Sequence, residues 1–357
     1  MIEIDGSYGE GGGQLLRYSI ALASLLGKAI KVYNIRAKRS NPGLRPQHMT
    51  AVLTIAKLVS ADIKGLQLGS KEIVFMPKSR PKGGSYNIDI GTAGSISLFL
   101  QATIPVLISS NTPIELTVRG GTSVKWSPPI PYMINVLLPL LSKFGVKAKI
   151  ELLRRGFYPR GNGLVKVYTS PSYPLTYISA RPFDKIKYIK GISYVGNLPR
   201  HIAVRQALSA EKIVKEHGYK DYLEEIEIDD RTPSFGKGSG IVLWAETDQG
   251  LIGGDSIGEV GKRAEIVGRE AAEKLVKELD TRAAIDSHAL DNVIIYMSLA
   301  KGKSTVFSSE LTMHAKTAMD LCSKITGANF SYRKEEDGVY VECEGIEYTS
   351  TLSDNLD

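Results

Sequence analysis

"RPQHMTAVLTIAKLVSADIKG" at residues 45–65, "PPIPYMINVLLPLLSKFGVKAKI" at 128–150 and "TMHAKTAMDLCSKITGANFSY" at 312–332 share one pattern. Each has apolar residues at helical spacing, closes its helix near a lysine, and runs on into a strand-like or turn segment. Lys57 and Lys143 lie 86 residues apart, Lys143 and Lys324 lie 181 apart, and the difference is 95. The first interval is the length of one repeated unit. The excess in the second is the length of a small domain.

Ahead of each such helix the sequence predicts another, entered through a turn of small residues: "GEGGGQLLRYSIALASLLG", "IGTAGSISLFLQATIPVLISS" and "AIDSHALDNVIIYMSLAKG". Strand candidates separate and follow the helices, among them "KAIKVYNIRAKR", "PIELTVRGG" and "STVFSSELT", and "YRKEEDGVYVECEG" reads as a hairpin turned by Asp-Gly. The expected fold class is therefore α+β, three βαβαββ units with helices laid on one face of their sheets. The extra residues fall at 183–277. They have strands of their own ("YIKGISYVG", "GIVLWAET"), two long amphipathic helices and a loop, "DDRTPSFGKGSG". This stretch is expected to form an inserted α/β domain, with 1–182 and 278–357 making the larger repeat-built domain.

At 357 residues with 43% hydrophobic and 23% charged residues, the composition is that of a globular protein rather than a disordered or fibrous one. No stretch reads as membrane-spanning, and "MIEIDGSYGEG" has acids where a secretory leader needs positive charge, so the expected location is the cytoplasm. Cys322 and Cys343 are too few for a disulfide framework and lack the paired spacing of a zinc site. The net charge of +7 makes a polyanionic partner plausible.

"GEGGGQLLR" at 9–17 is not a P-loop, because Gln14 stands where that motif needs lysine. Glycines ahead of a helix still expose N–H groups at its positive end, and Arg17 follows one turn in. Glu10 fits such a phosphate site only if it holds a metal ion or orients a donor; the other reading is a tight turn under a core helix. In "IRAKRSNPGLRPQHM", Arg36, Lys38, Arg39 and Arg45 fall within ten residues. Strand period places Arg36 and Lys38 on one face, with Gln47 and His48 opening the next helix; this is a phosphate grip or a solvated basic edge. His314 opens a helix, where the dipole favours a neutral, nucleophilic imidazole, or it serves as a polar cap. His288 and Asp291 have the spacing of a metal pair without a third ligand.

Together "DGSYGEGGGQLLR", "IRAKRSNPGLRPQH", "LLRRGFYPRGNG", "HALDN" and "TMHAKTA" stand in the order and spacing of the RNA 3′-terminal phosphate cyclases, and the chain resembles the archaeal and eukaryotic branch of that family along nearly its whole length. The resemblance implies three units like the C-terminal domain of translation initiation factor 3, with a smaller domain inserted before the last. It implies a ligase-type enzyme: a histidine takes AMP from ATP and releases pyrophosphate, AMP passes to an RNA 3′-phosphate, and the 2′-oxygen displaces it to close a 2′,3′-cyclic phosphate.

By the same resemblance His314 is the nucleophile and Glu10 the acid associated with Mg²⁺ or Mn²⁺. Arg17, Arg36, Arg39, Gln47 and His48 surround the phosphates. Gln101, Pro128, His288, Ala289, Leu290, Asp291 and Asn292 bind the nucleotide, with His288 and Pro128 on the two faces of adenine. The implied partner is RNA with a 3′-phosphate, with no membrane; a homodimer is allowed, though no self-complementary surface is marked. The chain departs from the family pattern at Asn162, within "PRGNG" for P-x-GGG, and at Asn292, where glutamine is usual. Two relatives of similar architecture are the rival readings: a non-catalytic ribosome-assembly branch lacking the histidine, and an enolpyruvyl transferase.

Overall fold

The computed structural model describes residues 1–350. In chain order it runs β1 (Ile2–Asp5), α1 (Gly13–Leu26), β2 (Ile30–Tyr33), α2 (Pro46–Leu58), β3 (Asp62–Lys64) and β4 (Ile73–Met76). Next come β5 (Gly84–Asp89), α3 (Ile96–Leu107), β6 (Ile114–Gly120), α4 (Ile130–Tyr132), a π-turn over Met133–Leu137, α5 (Leu138–Lys143), β7 (Lys147–Arg154) and β8 (Gly163–Ser170). The remainder is β9 (Ser179–Ala180), β10 (Ile186–Gly196), α6 (Arg200–Glu216), β11 (Leu223–Asp229), β12 (Gly238–Thr247), β13 (Leu251–Ile257), α7 (Ala264–Asp280), α8 (Ser287–Leu299), β14 (Lys303–Ser308), α9 (Met313–Thr326), β15 (Asn329–Lys334) and β16 (Val339–Glu344).

This is a mixed α+β architecture, and among the described residues the strands form small four-stranded mixed sheets. Their orders are β1-β2-β4-β3, β5-β6-β8-β7, β9-β14-β16-β15 and β11-β10-β12-β13. In each of the first three, one parallel pair (β1 with β2, β5 with β6, β9 with β14) is extended by two antiparallel neighbours. A parallel pair needs a crossover, and α1, α3 and α8 occupy the three crossovers. The chain passes from β9 through β10–α7 before α8, so one sheet is interrupted by another.

The helices of the first three sheets bury their apolar faces on one another, α1 against α2, α3 and α9, and α8 against α9. Leu16, Leu22, Phe99, Leu290, Ile294 and Leu321 belong to this one large core. Ile189, Ala210, Ile241, Leu243, Ala271 and Leu275 form a second core, in which α6 and α7 cover the β10–β13 sheet. No helix among the described residues is long and apolar enough to cross a membrane.

Helix entries follow the local chemistry of the sequence. Ser95, Asp286 and Thr312 each accept a backbone N–H from the first turn of α3, α8 and α9 respectively, satisfying donors the helix itself leaves free. The strand expected across residues 28–39 stops at Tyr33. Asn34 and Arg36 adopt left-handed backbone (φ +51° and +54°), and 35–40 is a run of turns and bends, so Arg36 and Lys38 share no strand face. Ile35 and Ala37 alternate with Arg36 and Lys38 as in a strand, but Ala37 is exposed and the left-handed Asn34 and Arg36 turn the chain out of the sheet.

Candidate active site

The N-termini of α1, α2, α8 and α9 face a common cleft of about 940 Å³. Its entry into α1 depends on the glycine turn. Gly9 and Gly11 have φ near +58° and +59°, a left-handed backbone that side chains disfavour, and a Cβ at Gly9 would strike the Thr317 hydroxyl of α9. A Cβ at Gly13 would lie 2.3 Å from His48 Nε2, so the bare backbone lets His48 and Arg17 close on the start of α1. The turn thus carries Glu10 across to α9.

There Glu10 Oε2 lies 3.1 Å from His314 Nε2 and 3.7 Å from Arg39, while His314 Nδ1 lies 3.2 Å from Gln14 Oε1. His314 is the second residue of α9, half-buried. Burial draws its pKa below the ordinary histidine value; Glu10 opposes that, and Arg39, Arg17 and His288 reinforce it. The sequence reading expected the same direction from the helix dipole, whereas desolvation is the largest cause.

Arg17 lines the cleft with its Nε enclosed and unpartnered, and burial brings its guanidinium down to about 10, so it stays charged at neutral pH. His48 is buried, and desolvation followed by Arg17, Arg36 and Arg45 pushes it down to about 3, so it is neutral. Arg36 lines the cleft too, with Nη1 donating to the carbonyls of Asn41 and Gly43 at 2.7 and 3.0 Å. Gln47 accepts the Ser95 N–H at 3.2 Å, joining α2 to the α3 entry.

Gln101, Pro128, His288, Asp291 and Asn292 also line the cleft. Asp291 accepts from the Thr312 hydroxyl, which also caps α9; burial raises its carboxyl to about 7. Asn292 turns its amide back onto the His288 carbonyl at 2.7 Å. Ala289 and Leu290 lie on the core side of α8, and their N–H groups are taken by Asp286, so they add no surface to the cleft.

Sequence reasoning missed two contributions. Asp286, buried, accepts from Tyr132 OH at 2.8 Å and Gly253 N–H at 2.9 Å as well as capping α8, and so ties three segments beneath the cleft. Its place before "SHALDN" is an N-cap signal that was available. The β10–α7 region supplies Asp255, Glu259, Lys262 and Lys274 to the rim, and Lys125 pairs with Glu259 across it at 2.5 Å. No local pattern marks those residues.

Among the described residues no three His, Cys, Asp or Glu side chains gather as a metal cage. Of the carboxylates lining the cleft, Glu10 is the one beside His314, and one such carboxylate is a donor set that suits a Mg²⁺-type ion, which keeps its waters and leans on substrate phosphates.

The sequence profile of the family described as RNA 3′-terminal phosphate cyclase matches residues 8–332. The chain is 47% identical over 348 residues to the RNA 3′-terminal phosphate cyclase of Pyrobaculum aerophilum, covering 97% of this chain and 99% of that one. It is 50% identical to the protein of the same name from Staphylothermus marinus (91% and 92% covered) and 45% identical to that from Pyrococcus furiosus (93% and 95%). The cleft with His314 and Glu10 at its centre is therefore carried by a chain that belongs to the RNA 3′-terminal phosphate cyclase family of enzymes.

Proposed function

We propose that the protein converts an RNA 3′-phosphate to a 2′,3′-cyclic phosphate at the expense of ATP, through AMP carried on His314. The observation that carries this reading is the placement of His314 between Gln14 and Glu10 in a cleft whose Arg17 has an unpartnered Nε and meets no carboxylate among the described residues. Once Glu10 engages a cation in place of Nε2, the tautomer with its proton on Nδ1, toward Gln14 Oε1, leaves the lone pair on Nε2. That nitrogen forms a bond to the α-phosphorus of ATP as the α–β anhydride bond breaks and pyrophosphate leaves. Nδ1–H stays on Gln14 and steadies the positive ring of the adduct. An oxygen of the RNA 3′-phosphate then takes the α-phosphorus from Nε2. Finally the 2′-oxygen attacks the 3′-phosphorus, AMP departs, and the 2′-hydroxyl proton goes to solvent.

Arg17 and Arg39 stand where charge builds on the five-coordinate phosphorus, fixed before the reaction starts, which is the condition under which such cations lower a barrier most. Neutral His48 donates or accepts a hydrogen bond without repelling these arginines. Glu10 would hold Mg²⁺ or Mn²⁺, which supplies charge neutralisation for the departing pyrophosphate. His288 and Pro128 would take the adenine between them, with Gln101, Asp291 and Asn292 alongside.

The common order and pairing sense of three sheets support the reading that they are copies of one βαβαββ unit of the initiation factor 3 type, and the second core supports 183–277 as an inserted domain.

Incubation with α-³²P-ATP and Mg²⁺ or Mn²⁺, followed by a denaturing gel, tests the proposal. Wild type is expected to hold label, His314→Ala none, and the label to move to 3′-phosphate RNA and end as a cyclic terminus. A wild type that takes no label with either metal would overturn it in favour of the non-catalytic branch.

A further inference from the structure

Three loops beside the cleft are laced together by their backbones and present aromatic rings to water. Ser123 bridges Phe157, Thr122 N–H donates to the Gly156 carbonyl at 2.8 Å, and Arg155 N–H donates to Pro233 at 2.7 Å. On these loops Trp126 is 94% exposed, Tyr158 80% and Phe235 45%. Phe157 between them points inward, its ring filling the space above Gly238. Trp126 also holds a left-handed backbone, φ +61°, unusual for a bulky residue and a mark of a constrained position.

The same loops carry exposed Arg160, Arg231 and Lys237. The acids nearby are engaged elsewhere: Asp229 by Arg155 and Thr232, Asp230 by Arg200 at 3.4 Å, Glu259 by Lys125. The patch is continuous with the cleft at two points. Val124–Pro128 forms the lip of the cleft itself, and Gly161 lies against Thr92 and Ala93, next to the Gly94–Ser95 turn that Gln47 grips.

Rings among cations that pair with no acid among the described residues are what a single-stranded nucleic acid needs, bases stacking on π-faces and phosphates on the charges, without regard to sequence. We infer that the RNA leading to the reacting 3′-phosphate leaves the cleft over Trp126, Tyr158 and Phe235, with its phosphates on Arg160, Arg231 and Lys237. The inference rests on the substrate proposed above, and it gives the loop "GFYPRGNG" a task of its own.

The test uses a fluorescently labelled single-stranded RNA of about eight nucleotides with a 3′-phosphate, read by anisotropy without any catalysis. Tyr158→Ala with Phe235→Ala is expected to weaken binding about tenfold or more, while labelling of the protein by ATP, which involves no RNA, stays at the wild-type level. Arg160→Gln with Lys237→Gln should flatten the salt dependence by about 1.4 in log–log slope, at about 0.7 per contact. RNA should also quench the indole emission, and Trp126→Gly, which accepts the left-handed backbone, should leave only the unresponsive Trp244 signal. Unchanged affinity in the double aromatic variant, or full quenching without Trp126, overturns the inference. Failure of the proposed function is seen separately, as a wild type that binds RNA over these rings but takes no AMP.

Discussion

Arg155 is buried and Arg17 is half-buried with its Nε enclosed, and they are partnered in opposite ways. Arg155 is 1% exposed, pairs with Asp229 at 2.5 Å and lies 3.9 Å from the ring centre of Tyr194, so it pins the end of β7 to the β10–α7 region. Asp229 is held further by the Thr232 hydroxyl, and Tyr194 OH by Ser123 at 2.9 Å. Arg17, by contrast, meets no carboxylate among the described residues, and its near neighbours are neutral His48 and the bare backbone of Gly13. A buried charge with its counterion holds two parts of a fold together. One without a counterion raises the energy of the empty protein and is relieved only when an anion arrives.

The contrast breaks most sharply at Arg155. Arg155→Met strands the Asp229 carboxylate and should cost about 3–5 kcal/mol in denaturant unfolding, and adding Asp229→Leu should recover most of it. Arg17→Met should do the reverse: the rate of AMP transfer to the protein falls about 10²–10³-fold, while the denaturant midpoint holds or rises.

A smaller effect separates the two by pH. Burial alone would raise Asp229, but the Thr232 hydroxyl and N–H and then Arg155 bring it down to about 2, below its unfolded value. A lowered carboxyl binds its proton more weakly in the folded state. Its contribution, about 2 kcal/mol, is therefore complete above pH ~4 and lost as pH falls through about 2. Asp229→Asn should remove that acid-side slope from the unfolding curve.

The smallest effect is on His314. Its neutral form reacts, so labelling falls as pH drops through a pKa set below the ordinary histidine value. Arg39 is one of the cations holding it down, and Arg39→Gln should move the acid limb of the pH–rate profile upward even if the plateau also falls. A limb that stays in place would remove Arg39 from the electrostatics of the nucleophile.

Much of this was readable from local pattern. The glycine turn before α1 and the Asp-Gly hairpin are short-range chemistry, and Asn162 adopts a left-handed φ of +60°, which asparagine tolerates better than other residues with a side chain. The motifs that bring Glu10 beside His314, 304 positions later in the chain, carried the resemblance but not the distance. What stayed hidden depends on docking. Arg155 and Asp229 are 74 residues apart, and neither its neighbours nor its period marks Arg155 as buried. Arg36 was misread for a different reason, since charged residues at alternate positions imitate a strand until the backbone is seen to turn.

Thermal unfolding with and without ATP and Mg²⁺, on wild type, Arg17→Met and Arg155→Met, tests the contrast most directly. Arg17→Met is expected to melt no lower than wild type without ligand and to gain far less on adding ATP, while Arg155→Met melts low and keeps its ATP gain. An Arg17→Met protein that melts as low as Arg155→Met, or that keeps the full ATP gain, would contradict the account.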